Sequence, residues 1–548
     1  MQDAASLTPM FRQYRALKGE HPGAILLFRM GDFYEMFFED AQQASRELEL
    51  TLTARGKGTA NAAPMCGFPH HQLDAYAARL VRAGHRVAVC DQVEDPKTAK
   101  GLVRREVVRI VTPGTLDDPN ELDPRANAWI AAVVAFGGRV GAAFLDASTG
   151  EFHAWEDAGP EAWAALRERL DAFAPREIVH AEDAVWPDDR KLEPQPGAIL
   201  SSADPFSFSA GPAAELLKRH FGVASLDGFG LEGRPAAATA AGGLLAYVRD
   251  TVRSNLEHVD RLSTLEAGVS VAIDPASLRA LEIDRSMRDG GREGSLLHAI
   301  DRTQTSPGAR LLRAWIGGAL VDRPQIAQRH DAVAELLSRP ALRAEIRRGL
   351  DGLHDIERLL ARAVAGSAHA RDLVSLRVSL ERLPAVFAAL GGARAELLSE
   401  IAATDPCPEV ATRLREGLHE EPPIGLREGG LIRDGFHPEL DRLRAIRRDG
   451  RDTIASIEAR EREATGIASL KVRFNKVFGY SIEVTKPNLH LVPERYQRKQ
   501  TIAGGERFVP RSCASTRRPC STRRSGSTRS NTRPSSRCAP RRRWPPRA

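Results

Sequence analysis

Hydrophobic positions in the first 118 residues switch between short apolar runs and helical spacing, the signature of a mixed α/β unit. Ala24–Met30 is an almost continuous apolar run and reads as a buried strand, with Gly31-Asp32 turning the chain out of it. Thr8-Pro9 supplies a capping hydroxyl and a proline at the first helical position. Phe37, Phe38, Ala41, Ala44 and Leu48 predict a helix, and residues 86–90 and 107–111 predict further strands. A stretch rich in Pro, Asp and Asn, 112–127, reads as a linker. Beyond it, residues 129–136, 140–146 and 151–155 predict three strands joined by tight glycine turns. Leu244, Val248, Val252, Leu256 and Val259 then fall on one helical face, closing a second α/β unit over about 126–260.

From residue 274 the period is helical. Asp274-Pro275 caps a helix expected to run to Ile283, and Leu373, Leu376, Leu380, Leu383 and Phe387 form a heptad-like stripe for long packed helices. Residues 439–463 are a highly charged helical stretch. The period then changes to two, from Leu470 through Gly479 to Thr485, which predicts a β-hairpin inside a helical region. No internal repeat is visible.

Length and charge refine this picture. A chain of 548 residues accommodates three to five domains at roughly 100–200 residues each. The longest apolar run, 128–136, is far short of the ~20 residues that a membrane span needs. The N-terminus lacks the basic, apolar, small-residue order of a secretion signal, so a soluble cytoplasmic protein is expected. The net charge is +6, but residues 511–548 alone contribute +12 and contain no Asp or Glu, which leaves the rest at −6. That tail also lacks Leu, Ile, Val, Phe, Met and Lys, and a segment that cannot bury a core is expected to be disordered. Cys66, Cys90 and Cys407 lie far apart with no metal-ligand spacing, which fits a reducing compartment.

The densest local chemistry is Gly31-Asp32-Phe33-Tyr34-Glu35-Met36-Phe37-Phe38, which with Phe28 puts five aromatics into eleven residues. In an extended conformation Phe33 and Glu35 project to the same side. An aromatic can stack on or wedge between bases, and a carboxylate beside phosphates gains only by hydrogen bonding a base. From composition alone, aromatic core plus a solvated glutamate is the plainer reading. Lys471, Arg473, Lys476 and Lys486 on the hairpin, followed by Arg498-Lys499, suit phosphate contacts, against the plainer alternative of a solvated strand face. Enzyme signatures mostly fail. The single Gly-Lys pair, Gly56-Lys57, is followed by Gly58 and makes no P-loop, and His70-His71 has no Glu or Cys at zinc spacing. Asp146 and Glu151 leave a metal-dependent nuclease as the enzyme alternative.

Four motifs taken together carry a family resemblance: Thr8-Pro9-Met10, the run from Leu27 to Glu35, Pro64-Met65-Cys66-Gly67-Phe68-Pro69-His70-His71, and the run from Val108 to Thr115. They resemble the mismatch-recognition domain of the bacterial MutS family. Asp355 to Leu360 and Arg371 to Leu373 are similar to its lever core, and Leu470 to Asn475, Gly479-Tyr480, Gln500-Thr501 and Glu506 to Phe508 to its clamp. The resemblance covers about residues 6–510. It implies a mixed α/β mismatch-recognition domain (1–118), an RNase H-like connector without nuclease activity (126–260), a long-helix lever core (268–424) and a β-rich clamp (425–510), with the ATPase domain absent. By that resemblance Phe33 is the wedge on a mispaired or unpaired base. Glu35 hydrogen-bonds the base as a protonated or proton-sharing carboxyl, and Met30, His70 and Arg109 line the same region. The DNA is kinked where a mismatch unstacks cheaply, while Arg473, Lys476, Arg498 and Lys499 hold backbone. The intact family protein is expected to use ATP and Mg2+, to form a homodimer and to recruit MutL. This chain is expected to hold no cofactor or metal, and its dimerisation is in question.

Two departures qualify the resemblance. Ala503-Gly504 stands where relatives carry a basic residue and Asn, which predicts a weaker clamp. After Val509-Pro510 the family continues into an acidic helix, whereas here the Arg/Ser-rich tail of 511–548 follows. With 68 Arg against 10 Lys, that tail reads as a frameshifted stretch of GC-rich coding DNA, the alternative being a basic arm. A lever without its returning helix is expected to leave Leu373, Leu376 and Leu380 partly unpartnered and to be marginally stable. The expected function is therefore a mismatch sensor lacking its motor, with a non-functional truncated product as the competing reading.

Overall fold

The computed structural model describes residues 8–56, 62–94, 103–116, 121–186, 190–266, 271, 273–426, 428–475, 479–502 and 504–510. The chain divides into two units, one of residues 1–368 and 381–406, the other of residues 369–380 and 407–548.

The first unit begins with α1 (Pro9–Glu20), whose N-terminus is capped by the Thr8 hydroxyl. A six-stranded sheet follows, made of β1 (Ala24–Met30), β2 (Phe33–Phe37), β3 (Thr53–Arg55), β4 (Ala63–Pro69), β5 (Arg86–Gln92) and β6 (Arg105–Val111), in the order β3-β4-β2-β1-β5-β6. Helices α2 (Phe38–Leu48) and α3 (Leu73–Arg82) bury Ala41, Ala44, Ala77 and Leu80 against Tyr34, Met36 and Val89 on one sheet face. On the other face α1 packs Phe11 and Tyr14 on Phe28, Phe37 and Cys90. The buried Asp40 joins these layers by accepting from Tyr14 Oη at 2.8 Å, Lys18 Nζ at 2.7 Å and the Leu26 amide at 3.1 Å. Phe37, expected in the helix, is the last residue of β2, and the helix starts at Phe38 with a left-handed φ of 55°.

The expected linker is not a solvated spacer at its start. Thr112 is buried, and its hydroxyl donates to Glu177 at 2.5 Å, while the Gly114 amide, Ser201 and Tyr247 also donate to that carboxylate. A buried carboxylate needs such a full set of donors. The pattern of residues could not show this, because the acceptor lies 65 residues away.

Next comes a meander of β7 (Trp129–Phe136), β8 (Arg139–Asp146) and β9 (Glu151–Ala158), extended beyond β7 by the parallel strands β10 (Glu177–Ala181) and β11 (Ile199–Ala203) and beyond β9 by the short β12 (Ser263–Thr264). Helix α4 (Ala162–Phe173) covers one face, and α5 (Ala210–Phe221) and α6 (Pro235–Val252) the other. A Cβ on Gly141 would lie 2.3 Å from the Ala236 carbonyl carbon, so glycine there permits the close approach of α6. Helix α6 ends at Val252, because Arg253 and Leu256 take left-handed φ values of 56° and 53°; Leu256 and Val259 are buried from the loop instead.

The helical part of this unit contains α7 (Pro275–Ala280), α8 (Leu296–Ile300), α9 (Ser306–Gly317), α10 (Arg323–Ser338), α11 (Pro340–Leu350) and α12 (Ile356–Ala365). Asp274 caps α7 as expected, but the helix stops at Ala280, short of Ile283. The buried Arg310 of α9 and Arg358 of α12 reach the carbonyls of Pro124, Asp123 and Ala126 at 2.9, 3.0 and 2.7 Å, which anchors the far end of the expected linker. Helix α13 (Ala370–Leu390) contributes to both units and contains Pro384, which removes one amide donor from its ladder. On it Leu376 is buried, and Leu373 and Leu380 are half-buried. Helix α14 (Glu396–Ala402) completes the first unit.

In the second unit, α15 (Pro408–Gly417) and the 28-residue α16 (Pro438–Thr465) precede a sheet of β13 (Lys471–Asn475), β14 (Gly479–Thr485), β15 (Tyr496–Ile502) and β16 (Gly505–Pro510), ordered β13-β14-β16-β15. Ile467, Leu470, Ile482, Val484, Tyr496 and Phe508 form its core. Buried Glu461 of α16 ties helix to sheet, accepting from Tyr496 Oη and Arg495 at 2.7 Å each. Among the described residues, no helix is long and apolar enough to cross a membrane. The tail of 511–548 and Lys476 lie outside the described residues.

Candidate nucleic-acid interface

Strands β1 and β2 form a hairpin closed by Gly31, whose φ of 60° is left-handed, and register pairs Met30 with Phe33 and Phe28 with Glu35. Directly opposed residues share a face, so Phe28, Met30, Phe33 and Glu35 lie together. Phe28 is fully buried under α1 at the inner end of this row, while Phe33 at the turn end is 47% exposed. The row therefore runs from core to solvent, and its outermost aromatic is about half exposed. Across the sheet, Glu35 faces Gly67, where a Cβ would come within 2.7 Å of the Tyr34 carbonyl oxygen and 3.3 Å of Glu35 Cγ. His70 sits just beyond β4, exposed, with its amide donating to the Asp32 carbonyl at 2.9 Å and its Nδ1 3.1 Å from the same oxygen. It thus braces the hairpin turn.

The Glu35 side chain is only 18% exposed. Burial pushes its carboxyl above the usual range, against the opposing pull of Arg55, by charge and hydrogen bond, and of Arg105 by charge. Arg55 Nη1 donates to Glu35 Oε2 at 3.0 Å. Arg105 is buried under the hairpin. Its Nε donates to the Arg29 carbonyl at 2.7 Å, Nη1 donates to the Val103 carbonyl at 2.9 Å and Gln13 Oε1 at 3.2 Å, and the guanidinium lies 4.8 Å from the Phe28 ring centroid. Met30 Sδ is 3.5 Å from Arg105 Nη2.

Arg109 stands apart from this group. Simple alternation along β6 would put residues 105, 107 and 109 on one face. A register shift between Val89 and Cys90 pairs Val107 with Cys90 but Arg109 with Val89, so the bulge at Val108 turns Arg109 to the opposite face. There it donates to Asp74 of α3 at 2.7 Å. The cations beside Glu35 are instead Arg55 and Arg105, which the sequence reading missed; a bulge leaves no mark in the apolar period that would have warned of the change.

In the second unit, Arg473 is 62% exposed with its Nε 3.5 Å from Glu483, and Arg498 is 61% exposed with Nη1 3.3 Å from Glu506. Lys499 is exposed and occupies a second bulge, between Arg498 and Gln500. Register puts Arg473 opposite Ser481, but Arg498 opposite Phe508, which itself faces Ile482. Arg473 and Arg498 consequently lie on opposite faces of the sheet.

The buried carboxylate of β8 is already committed. Asp146 is fully buried and accepts from Asn127 at 3.1 Å, the Ala128 amide at 3.1 Å and both the amide and hydroxyl of Ser148. Among the described residues, no group of three or more His, Cys, Asp or Glu could hold a metal ion.

The molecule is thus a modular protein, α/β in its first part and helical with a four-stranded sheet beyond, that presents an exposed aromatic and a carboxyl raised by burial side by side at the open end of a sheet. The chain matches MutS domain I over residues 8–120, MutS domain II over 128–260 and MutS domain III over 276–501. It is 47% identical over 511 residues to the DNA mismatch repair protein MutS of Symbiobacterium thermophilum, covering 92% of this chain and 58% of that protein. The protein of the same name from Myxococcus xanthus is 47% identical over 520 residues, covering 93% of this chain and 57% of its own length. The chain belongs to the MutS family, and it spans somewhat more than half the length of these curated relatives.

Proposed function

We propose that this chain acts in DNA mismatch repair by binding mismatched or unpaired bases in duplex DNA, with Phe33 as the wedge and Glu35 as the hydrogen-bonding partner of the displaced base. The observation that carries the reading is the pairing of an exposed aromatic with a burial-raised carboxyl on one sheet face at a hairpin tip. A base that has lost its partner unstacks cheaply, stacks on the ring, and exchanges one hydrogen bond with a carboxyl that need not carry charge among phosphates. Residues 1–118 then serve as the recognition domain and 126–260 as an RNase H-like connector. The helices of 268–424 serve as a lever, and residues 425–510 as a clamp whose Arg473, Arg498 and Lys499 lie near backbone. Met30 and His70 support the hairpin from behind and beside it.

The family's nucleotide steps are not assigned to these residues. Homodimerisation and recruitment of MutL are proposals for the longer relatives. A non-functional product is the competing reading. The test is anisotropy with a duplex carrying one mismatch and with its perfect counterpart. A preference for the mismatch of about tenfold or more is expected from stacking alone, and equal affinity for the two duplexes would sink the reading.

A further inference from the structure

Two cations flank Glu35, and they are held in opposite ways. Arg105 is buried, and its three nitrogens are spent on the Arg29 and Val103 carbonyls, Gln13 and Met30, so it cannot leave its place without dismantling the hairpin. Arg55 is 42% exposed, stands at the end of the three-residue edge strand β3, and makes a single direct bond to Glu35. The oxygen it occupies, Oε2, belongs to the carboxyl that a displaced base must reach. An ion pair and a base hydrogen bond compete there for the same group.

We propose that Arg55 sets the specificity of this site: it holds the Glu35 carboxylate in the DNA-free protein, and on binding it lets go of Glu35 and moves to a neighbouring phosphate while the carboxyl turns to the lesion base. This inference rests on the mismatch-binding reading above. The proton balance is simple. Glu35 leaves its ion pair, takes one proton from solvent, and donates that hydrogen to an acceptor nitrogen or oxygen of the base, while the Arg55 charge is neutralised by phosphate. On a perfect duplex, which offers the phosphate but no displaced base, Arg55 meets the phosphate without leaving Glu35, so only the mismatch complex bears the cost of breaking the ion pair. Arg105 remains in place and supplies a constant pull toward the carboxylate, Gly67 opposite leaves room for the carboxyl to turn, and Phe28 across the sheet carries no charge.

The experiment compares wild type, Arg55→Gln, Glu35→Gln and the double variant in the full 548-residue chain, with mismatched and perfect duplexes between pH 6 and 8.5. Arg55→Gln should weaken both duplexes through the lost phosphate contact. It should also raise the ratio of mismatch to perfect-duplex affinity at pH 8 about tenfold, because losing one close cation raises a carboxyl by about one pH unit or more. In the Glu35→Gln background the same change should leave the ratio within twofold. An unchanged ratio in Arg55→Gln, or the same change in both backgrounds, overturns the proposal. A second measurement needs no DNA. The 13Cδ resonance of Glu35, assigned by its loss in Glu35→Gln, should titrate at higher pH in Arg55→Gln than in wild type, and coincident midpoints also overturn it. If Phe33→Ala leaves the mismatch preference intact, it is the binding reading that fails, and the Glu35 titration still decides the role of Arg55.

Discussion

The sheet of β1–β6, proposed to read the lesion, and the sheet of β13–β16, proposed as a clamp, both present cations near an edge and both contain a bulge, yet they prepare those groups differently. In the recognition sheet the functional row grows out of the core: Phe28 is fully buried, Glu35 is largely enclosed, and only Phe33 is exposed to solvent. In the sheet of β13–β16 the cations are more exposed and lie on both faces, paired with Glu483 and Glu506, which are as enclosed as Glu35. Glu35 shares its face with the exposed ring of Phe33 and feels desolvation, so the fold can set its charge state, whereas pairs made by such exposed guanidiniums are screened and worth little each. The first arrangement suits discrimination between duplexes, and the second suits affinity without preference.

The largest effect that tests this contrast comes from the hairpin tip. Phe33→Ala removes an exposed ring that supports no core, so folding should change by less than about 1 kcal/mol. Affinity for mismatched duplex should fall about 10- to 100-fold, the range for losing one stacked base, while perfect-duplex affinity stays within about threefold. Anisotropy titrations paired with thermal melts would read both. An equal loss on the two duplexes would make Phe33 another general contact and erase the distinction between the sheets.

Acidity gives the next effect. The folded Glu35 carboxyl is raised above its ordinary value, so the protonated form is favoured below that raised value and lost as pH climbs through it. Mismatch affinity should therefore decline toward alkaline pH, by up to about tenfold per pH unit once Glu35 is mostly ionised. Glu35→Gln, permanently neutral, should flatten the profile, and clamp-mediated binding of perfect duplex should show little of it. A wild-type profile that is flat from pH 6 to 8.5 would argue that Glu35 takes no proton on binding.

How far the sequence reached follows the same divide between local and distant causes. The strands at Ala24–Met30 and Trp129–Phe136 matched their apolar runs residue for residue, because a buried strand writes its whole length in side chains. Phe33 and Glu35 sharing a face followed from period two and the glycine turn. The errors arose where backbone geometry broke the period. Left-handed residues at Phe38, Arg253 and Leu256 moved helix ends that spacing alone had extended, and the bulge at Val108 puts Arg109, which the resemblance and not the period had grouped with Glu35, on the other face. Arg55 and Glu177 were invisible for another reason: their partners lie 20 and 65 residues away, and no local pattern encodes such pairings.

The sheet proposed as a clamp offers a smaller, opposite test. Arg473→Ala together with Arg498→Ala should lower affinity for mismatched and perfect duplexes alike and reduce the slope of log affinity against log salt by about 1 to 2. The two sites lie on opposite faces, so a continuous duplex is more readily reached by one than by both. A slope change near 1 would identify a single working face, and the single variants would say which. A change in the mismatch ratio, rather than in both affinities, would show the clamp taking part in discrimination.

Smallest of all should be the effect of freeing a clamp arginine from its restraint. Glu506 is largely enclosed beside Arg498, at 3.3 Å, and a phosphate must compete with it for that guanidinium. Glu506→Gln keeps the shape, removes one negative charge near the DNA, and should tighten perfect-duplex binding by about two- to fivefold at low salt, the scale of one exposed ion pair. The gain should fade as salt rises, since a pair open to solvent is screened within about 10 Å at 0.1 M. The corresponding change in the sheet of β1–β6, removing Arg55 from Glu35, should instead alter the mismatch ratio and its pH profile, because there the carboxyl stands beside the exposed Phe33 ring and its charge is part of what is read. If Glu506→Gln also shifted the mismatch ratio, the aromatic ring beside Glu35 would not be what separates the two sheets, and position along the duplex would have to account for the difference.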